Sequence, residues 1–288
     1  MDMHQLMMAS SAAAIATLVV AILGRLLFHK STPRRQAAFV PLALAAGFFV
    51  GYHFLGFTFP QFAGLKLWQS PLHAAAILGV LTFLALLINF LPLSWLFTIA
   101  AIATSCLVVL GSIKFNPPPT TTGYLLYGLC TIGGSLLLWV VLQPLATRDK
   151  SNLLVPFVLL LSSAALTYIV LYAIDATLGK LLGVATALIA ASCVLAVIPP
   201  LGHLVRGVPV FCATLLVLFC ALAALYNVSP VKTYVFMLPA VAPLAAAIGY
   251  LPFLGKRWWF SLPLAILGTG TLLALAIWIT RDVAPPLV

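Results

Sequence analysis

Largely apolar residues fill this chain in ten runs of 17 to 23 positions, with charged and turn-forming residues gathered into short clusters between them. A helix crosses the hydrocarbon core of a bilayer with about 20 largely apolar residues, within a range of about 17–25. Backbone polar groups in lipid must find their partners inside the segment, which favours helices for such runs. The pattern predicts spans over 7–28, 37–58, 72–89, 95–112, 123–145, 153–174, 181–198, 208–226, 235–251 and 258–280. The separators are KSTPRRQ, FPQFAGLKLWQSP, NFLPLS, KFNPPPTTTG, ATRDKSN, IDATLGK, PPLGHLVRG, NVSPVKT and PFLGKR. Most carry the proline or glycine expected where a helix stops. The third and fourth spans are parted only by Asn89, Pro92 and Ser94, so a single re-entrant hairpin is the alternative there.

The expected fold is therefore all-α and polytopic, one transmembrane domain over 1–288 with both termini on the non-cytoplasmic side. Ten spans also divide into halves of five, 1–147 and 148–288, which would be inverted relative to each other, as in many transporters. The two halves share no residue-level similarity.

Charge sets the orientation. With the N-terminus outside, Arg25, Lys30, Arg34, Arg35, Arg148, Lys150, Arg206, Lys256 and Arg257 lie in the cytoplasm, nine cations in all. Lys66, Lys114, Lys180, Lys232 and Arg281, five, lie outside. Excess Lys and Arg on the cytoplasmic side is the rule for membrane proteins. Trp68, Tyr124, Tyr127, Tyr172, Tyr226, Tyr234 and Trp278 mark one interface, and Trp95, Trp139, Tyr250, Trp258 and Trp259 the other. Cysteines introduced at 64, 118 and 229 should accept an impermeant thiol reagent from outside, and those at 32, 149 and 204 should be spared. The opposite pattern would invert the topology.

Composition agrees. Apolar residues make up 64% of the 288 and charged ones 6%, against roughly 25% charged in a soluble domain. A net charge of +10 would suggest nucleic acid in a soluble protein. Here the cations flank apolar runs and meet headgroups, so the expected partner is the lipid bilayer and no nucleic acid. Other membrane subunits or a second copy of the chain are further candidate partners. Cys106, Cys130, Cys193, Cys212 and Cys220 all lie in apolar runs without a C-x-x-C pair, which gives no disulfide framework, metal site or cofactor. The first run is too long for a signal peptide and lacks a basic segment before it. The composition suits a bacterial inner membrane.

Candidate chemistry is sparse. No acid lies deep in a span, which argues against a buried-carboxylate proton relay and against acid-clustered metal chemistry. Tyr168, Tyr172 and Asp175 share a face of the sixth span at its outer end. They read either as the mouth of a solute pathway or as belt tyrosines with Asp175 capping the next helix. Tyr127, Thr131, Ser135 and Trp139 recur every fourth residue on the fifth span beside Gly133 and Gly134. Helix packing is the default for such a stripe, a polar solute lining the alternative. Gly47 and Gly51 form a GxxxG pair with the same default. Pro239 and Pro243 lie on one face of the ninth span, where interior prolines kink a helix and free carbonyls. His53 and His73 could meet at the outer face, though boundary histidines mostly serve as interfacial hydrogen-bonders.

In length and span number the chain resembles the drug/metabolite transporter architecture, a likeness of size alone, and ends placed outside count against it. The residues leave three classes open. A small permease for a small solute or lipid comes first, a non-catalytic structural or accessory subunit of a larger membrane complex second. A lipid-directed enzyme comes last, because no nucleophile or acid–base constellation is present.

Overall fold

A computed structural model describes residues 3–57, 69–88, 90–113, 121–148, 152–227, 229–250 and 258–283, giving the backbone alone at 148, 248–250 and 258–262. Among the described residues every regular element is helical. The order is α1 Met3–Leu27, α2 Pro33–Ala37, α3 Phe39–Phe54, α4 Ser70–Leu87, α5 Leu91–Gly111, α6 Thr121–Arg148, α7 Leu154–Ala173 and α8 Ala176–Val197. A 3-10 turn, Gly202–Gly207, then leads into α9 Val208–Leu225. Next, α10 Thr233–Val241 passes into a 3-10 segment, Ala242–Tyr250, and α11 Trp258–Val283 ends the described chain.

Nine of these stretches are long and apolar enough to cross a bilayer, with α2 and α3 forming one of them and the 3-10 turn extending α9. The protein is thus an all-α polytopic membrane protein. The third and fourth predicted spans are two separate helices of crossing length, Ser70–Leu87 and Leu91–Gly111. Prolines set several starts: α2, α4, α5 and α9 each carry one in the first turn. There the missing N–H costs nothing and the fixed φ suits a helix.

The ninth predicted span behaves differently. Its continuous apolar helical part, Thr233–Ala247, is shorter than the other nine. Pro239 lies inside α10, and the α-helix turns into 3-10 geometry just before Pro243. Each proline removes one backbone N–H from the ladder and crowds the preceding turn. The 3-10 form rises about 2.0 Å per residue against 1.5 Å for α. Nine residues of each come to about 14 Å and about 18 Å, enough for a hydrocarbon core of about 30 Å. The two prolines therefore shorten the α-helix while the tighter, more extended 3-10 winding restores its reach.

α9 is the central post. Every residue from Val208 to Ala224 is buried, and the helix packs on α3 to α8 and on α10. α1, α6 and α11 are the least covered spans and present leucines, isoleucines and valines outward, the surface that lipid would solvate. α3 wedges between α1 and α8 through its two glycines. A Cβ on Gly51 would stand 2.5 Å from Val184 Cγ1 and 3.0 Å from Ala13 Cβ. Backbones come this close only past small residues.

Candidate functional site

Five spans end around one cavity of about 230 Å³. Arg34 and Ala37 come from α2, Thr82 and Leu86 from α4, and Leu91, Ser94, Trp95 and Thr98 from α5. Trp139, Gln143 and Thr147 come from α6, Arg206 from the 3-10 turn and Val210 from α9. These are the starts of α2, α5 and α9 and the ends of α4 and α6, so alternating crossings bring all five to one face of the bundle. Thr98 lies two turns into α5, about 10 Å along its axis, so the cavity reaches roughly a third of the way across the core.

Each wall has a local cause. The last carbonyls of a helix have no donor within it. At the end of α4 the carbonyl of Ala85 accepts from Ser94 Oγ at 2.7 Å and from Arg34 Nη2 at 3.3 Å. Arg34 Nη2 also donates to Ser94 Oγ at 2.8 Å. A cation at a helix C-terminus complements the helix dipole, and this contact ties α2 to the α4–α5 corner. Thr98 Oγ1 donates to Ser94 O at 2.9 Å. Across the cavity, Gln143 Nε2 donates to Arg206 O at 3.1 Å, which fixes the 3-10 turn against α6. Trp95 and Trp139 meet edge-to-face, 5.0 Å between ring centroids; Trp139 is buried and Trp95 lies on the outer rim.

The 3-10 turn is also pinned to α2. A Cβ on Gly207 would stand 2.4 Å from the carbonyl oxygen of Ala37, so only glycine allows that approach. Beside it, Gln36 Nε2 donates to the carbonyls of Phe28, His29 and Ser31. Gln36 Oε1 accepts from His203 Nε2 at 2.6 Å. This amide closes the end of α1 and holds the turn in place. Arg34 and Arg206 thereby face one space, and neither makes an ion pair among the described residues. Among the described residues the lining includes no carboxylate and no histidine. Two donors at its wall have no partner among the described residues, Arg206 Nε and Thr82 Oγ1. The arrangement offers hydrogen-bond donors and an apolar wall to a bound molecule.

The residues singled out from sequence lie elsewhere. On α6, Thr131 Oγ1 donates to Tyr127 O at 2.7 Å and Ser135 Oγ to Thr131 O at 2.9 Å. Ser135 also sits 3.9 Å from Cys106 Sγ. Both hydroxyls are buried, and only Trp139, one turn further along the stripe, reaches the cavity. Tyr168 and Tyr172 stack with centroids 5.9 Å apart. Asp175 Oδ2 accepts from Leu178 N at 3.2 Å as the N-cap of α8. Pro239 and Pro243 are buried, and at the break the carbonyl of Ala242 accepts from Thr269 Oγ1 of α11 at 3.3 Å. His73 Nδ1 pairs with Gln69 O at 3.0 Å, and most of the loop between His53 and His73 lies outside the described residues.

Asp175→Ala should lower stability by about 1 kcal/mol, the usual cost of losing such a cap, read as a small fall in melting temperature in detergent. An unchanged melting temperature would mean that the cap contributes nothing. Comparison of the chain with family models, with curated proteins and with solved structures gives no match.

Proposed function

We propose that this membrane protein is a small permease, and that a small solute or the head of a lipid occupies the cavity among α2, α4, α5, α6 and α9. One observation carries the reading. The cavity penetrates the bundle from the end that gathers Arg34 and Arg206, and its wall mixes these cations with hydroxyls, an amide and an indole pair. Cations and polar groups set into a membrane domain are costly unless they serve a pathway or a partner. Ligand sites between the helices of a bundle are concave, largely apolar and marked by a few polar groups.

On α6 the cavity wall ends at Trp139. Ser135 and Thr131 continue the same α6 stripe toward the opposite end, and the 3-10 segment after Pro243 packs beside α6. The break between α10 and that segment is the place where the half beyond the cavity would give way, because a 3-10 stretch of nine residues is unusually long and such stretches often mark hinges. By the distribution of Lys and Arg, the open end faces the cytoplasm.

The alternative, a non-catalytic subunit of a larger complex, has one observation in its favour. The Thr131 and Ser135 hydroxyls and the Ala242 carbonyl are all satisfied within the bundle, as packing alone requires. Thr98→Cys in a chain lacking its other cysteines separates the two readings. A permease samples both open states, so an impermeant thiol reagent should modify position 98 from the cation-rich face and, more slowly, from the other. Modification from the cation-rich face alone, under all conditions, would make the cavity a blind recess and the chain a scaffold.

A further inference from the structure

We infer that the cavity is built for an amphipathic anion: a carboxylate or phosphate group held between Arg34 and Arg206, with an apolar or aromatic body against Trp95 and Trp139. This deepens the permease reading and rests on it for what happens to the anion after it binds.

The polar groups point to the charge. Arg34 Nη2 is committed to Ser94 Oγ and Ala85 O, and the Ser94 and Thr98 hydroxyl protons are committed to Ala85 O and Ser94 O. Among the groups left over are two donors. Among the described residues, Arg206 Nε is a buried N–H with no acceptor, and Thr82, 1% exposed, has a hydroxyl with no partner. Buried polar atoms are nearly always paired, so each orphan calls for an acceptor. A carboxylate or phosphate is acceptor-rich and forms its strongest bonds with guanidinium. Among the described residues no acid lines the wall, and two guanidinium groups repel a cationic solute. The same two charges favour an anion between them.

The remaining wall describes the rest of the molecule. Leu86, Leu91 and Val210 and the edge-to-face indoles surround the polar patch. A bare inorganic anion would leave these faces unused, whereas an apolar body removes them from water. Some 230 Å³ is about eight times the 30 Å³ share of a liquid water, room for a molecule of roughly ten non-hydrogen atoms. Leu91 is 61% and Trp95 47% exposed at the rim, so the cavity opens sideways toward the bilayer as well as along the axis. The same chemistry can therefore arrive as a free organic acid or as the head of an acidic phospholipid.

Phenylacetate is a suitable probe, with the full chain in phosphatidylcholine nanodiscs and binding followed by tryptophan fluorescence and thermal shift. Saturable binding is expected, weakened about tenfold or more when the neutral phenylacetamide replaces the acid and when Arg206→Gln removes one cation. Arg206→Gln leaves the Gln143 contact intact, because that bond is to the backbone, so its melting temperature should match the parent. Arg34→Lys, which keeps the charge at the α4–α5 corner, should bind better than Arg34→Gln. Equal affinity for acid and amide, or unchanged binding in Arg206→Gln, would overturn the assignment. Phosphatidylglycerol added to the nanodiscs identifies the source: competition with phenylacetate assigns the anion to the bilayer, and its absence to a soluble acid. Anion binding with Thr98→Cys reactive from one face alone would remove the permease and leave the anion site. Two-sided reactivity without charge-dependent binding would do the reverse.

Discussion

Leucine in place of Gly47 is expected to abolish the folded, monodisperse protein in detergent, and alanine there to lower the melting temperature by about 5 °C or more. A Cβ at this position would stand 2.1 Å from Thr17 Oγ1, 2.7 Å from the carbonyl oxygen of Ala13 and 2.7 Å from Leu188 Cδ2. Thr17 cannot step aside at little cost: it is fully buried and its hydroxyl donates to that same Ala13 carbonyl at 2.9 Å. Nor can Ala13 yield, since the atom in the way belongs to the backbone of α1. Overpacking a tight contact costs about 1–3 kcal/mol for one or two extra carbons. Leucine adds four at a point where α1, α3 and α8 converge. Gly133→Leu is the matched control, because nothing lies within 4 Å of its Cβ position. That variant should melt within about 2 °C of the parent, as exposed substitutions usually do. Size-exclusion profiles and thermal melts of both variants decide the matter. Gly47→Leu with the parent's melt would mean that α1 is not locked against α3.

That GxxxG pair was legible because its meaning is local: two glycines four residues apart leave a groove on one helix face whatever packs there. The Asp175 cap was legible for the same reason, its partner being three residues along the chain. So were the spans, since the bilayer imposes a length on each apolar run, and so was the break at Pro239 and Pro243. The consequence of the break was less visible. Proline spacing shows where hydrogen bonds are lost, while the 3-10 winding that recovers the reach depends on how α11 and Thr269 receive the freed backbone. Which span sits at the centre was not legible at all. The α9 run is only weakly amphipathic, as the other spans are, and a leucine facing lipid looks in sequence like a leucine facing protein. The cavity escaped for a third reason. Arg34 and Arg206 read as topogenic charges, Trp95 and Trp139 as belt residues, Ser94 as a helix separator. Each reading is sound for one segment. Only the meeting of five helix ends, on residues 34 to 210 of the chain, turns them into one wall, and no spacing rule connects them.

Gly207 is where that meeting is held, and Gly207→Val should weaken phenylacetate binding about tenfold or more although both arginines remain. Its φ of −84° is open to any residue, so the demand is for space alone. A Cβ would stand 2.4 Å from the Ala37 carbonyl oxygen, 3.0 Å from Val40 Cβ and 3.1 Å from Pro41 Cδ. None of these is the far end of a flexible side chain. Relieving the clash to ordinary contact moves the 3-10 turn about 1 Å from α2, and Arg206, which lies in that turn, moves with it. The spacing of the two arginines about a shared carboxylate then changes. A displacement of about 1 Å at a preorganised site costs on the order of a hundredfold in favourable cases. The melting temperature should fall as well, by several degrees for about 1–3 kcal/mol of overpacking. Binding is therefore measured on the folded fraction after size exclusion and set beside Arg206→Gln, which loses the charge and keeps the packing. If both variants lose affinity and only Gly207→Val loses stability, then the spacing of the two cations, and not merely their presence, sets recognition. Full affinity in folded Gly207→Val would mean that the anion is held by Arg206 alone, wherever the turn carries it.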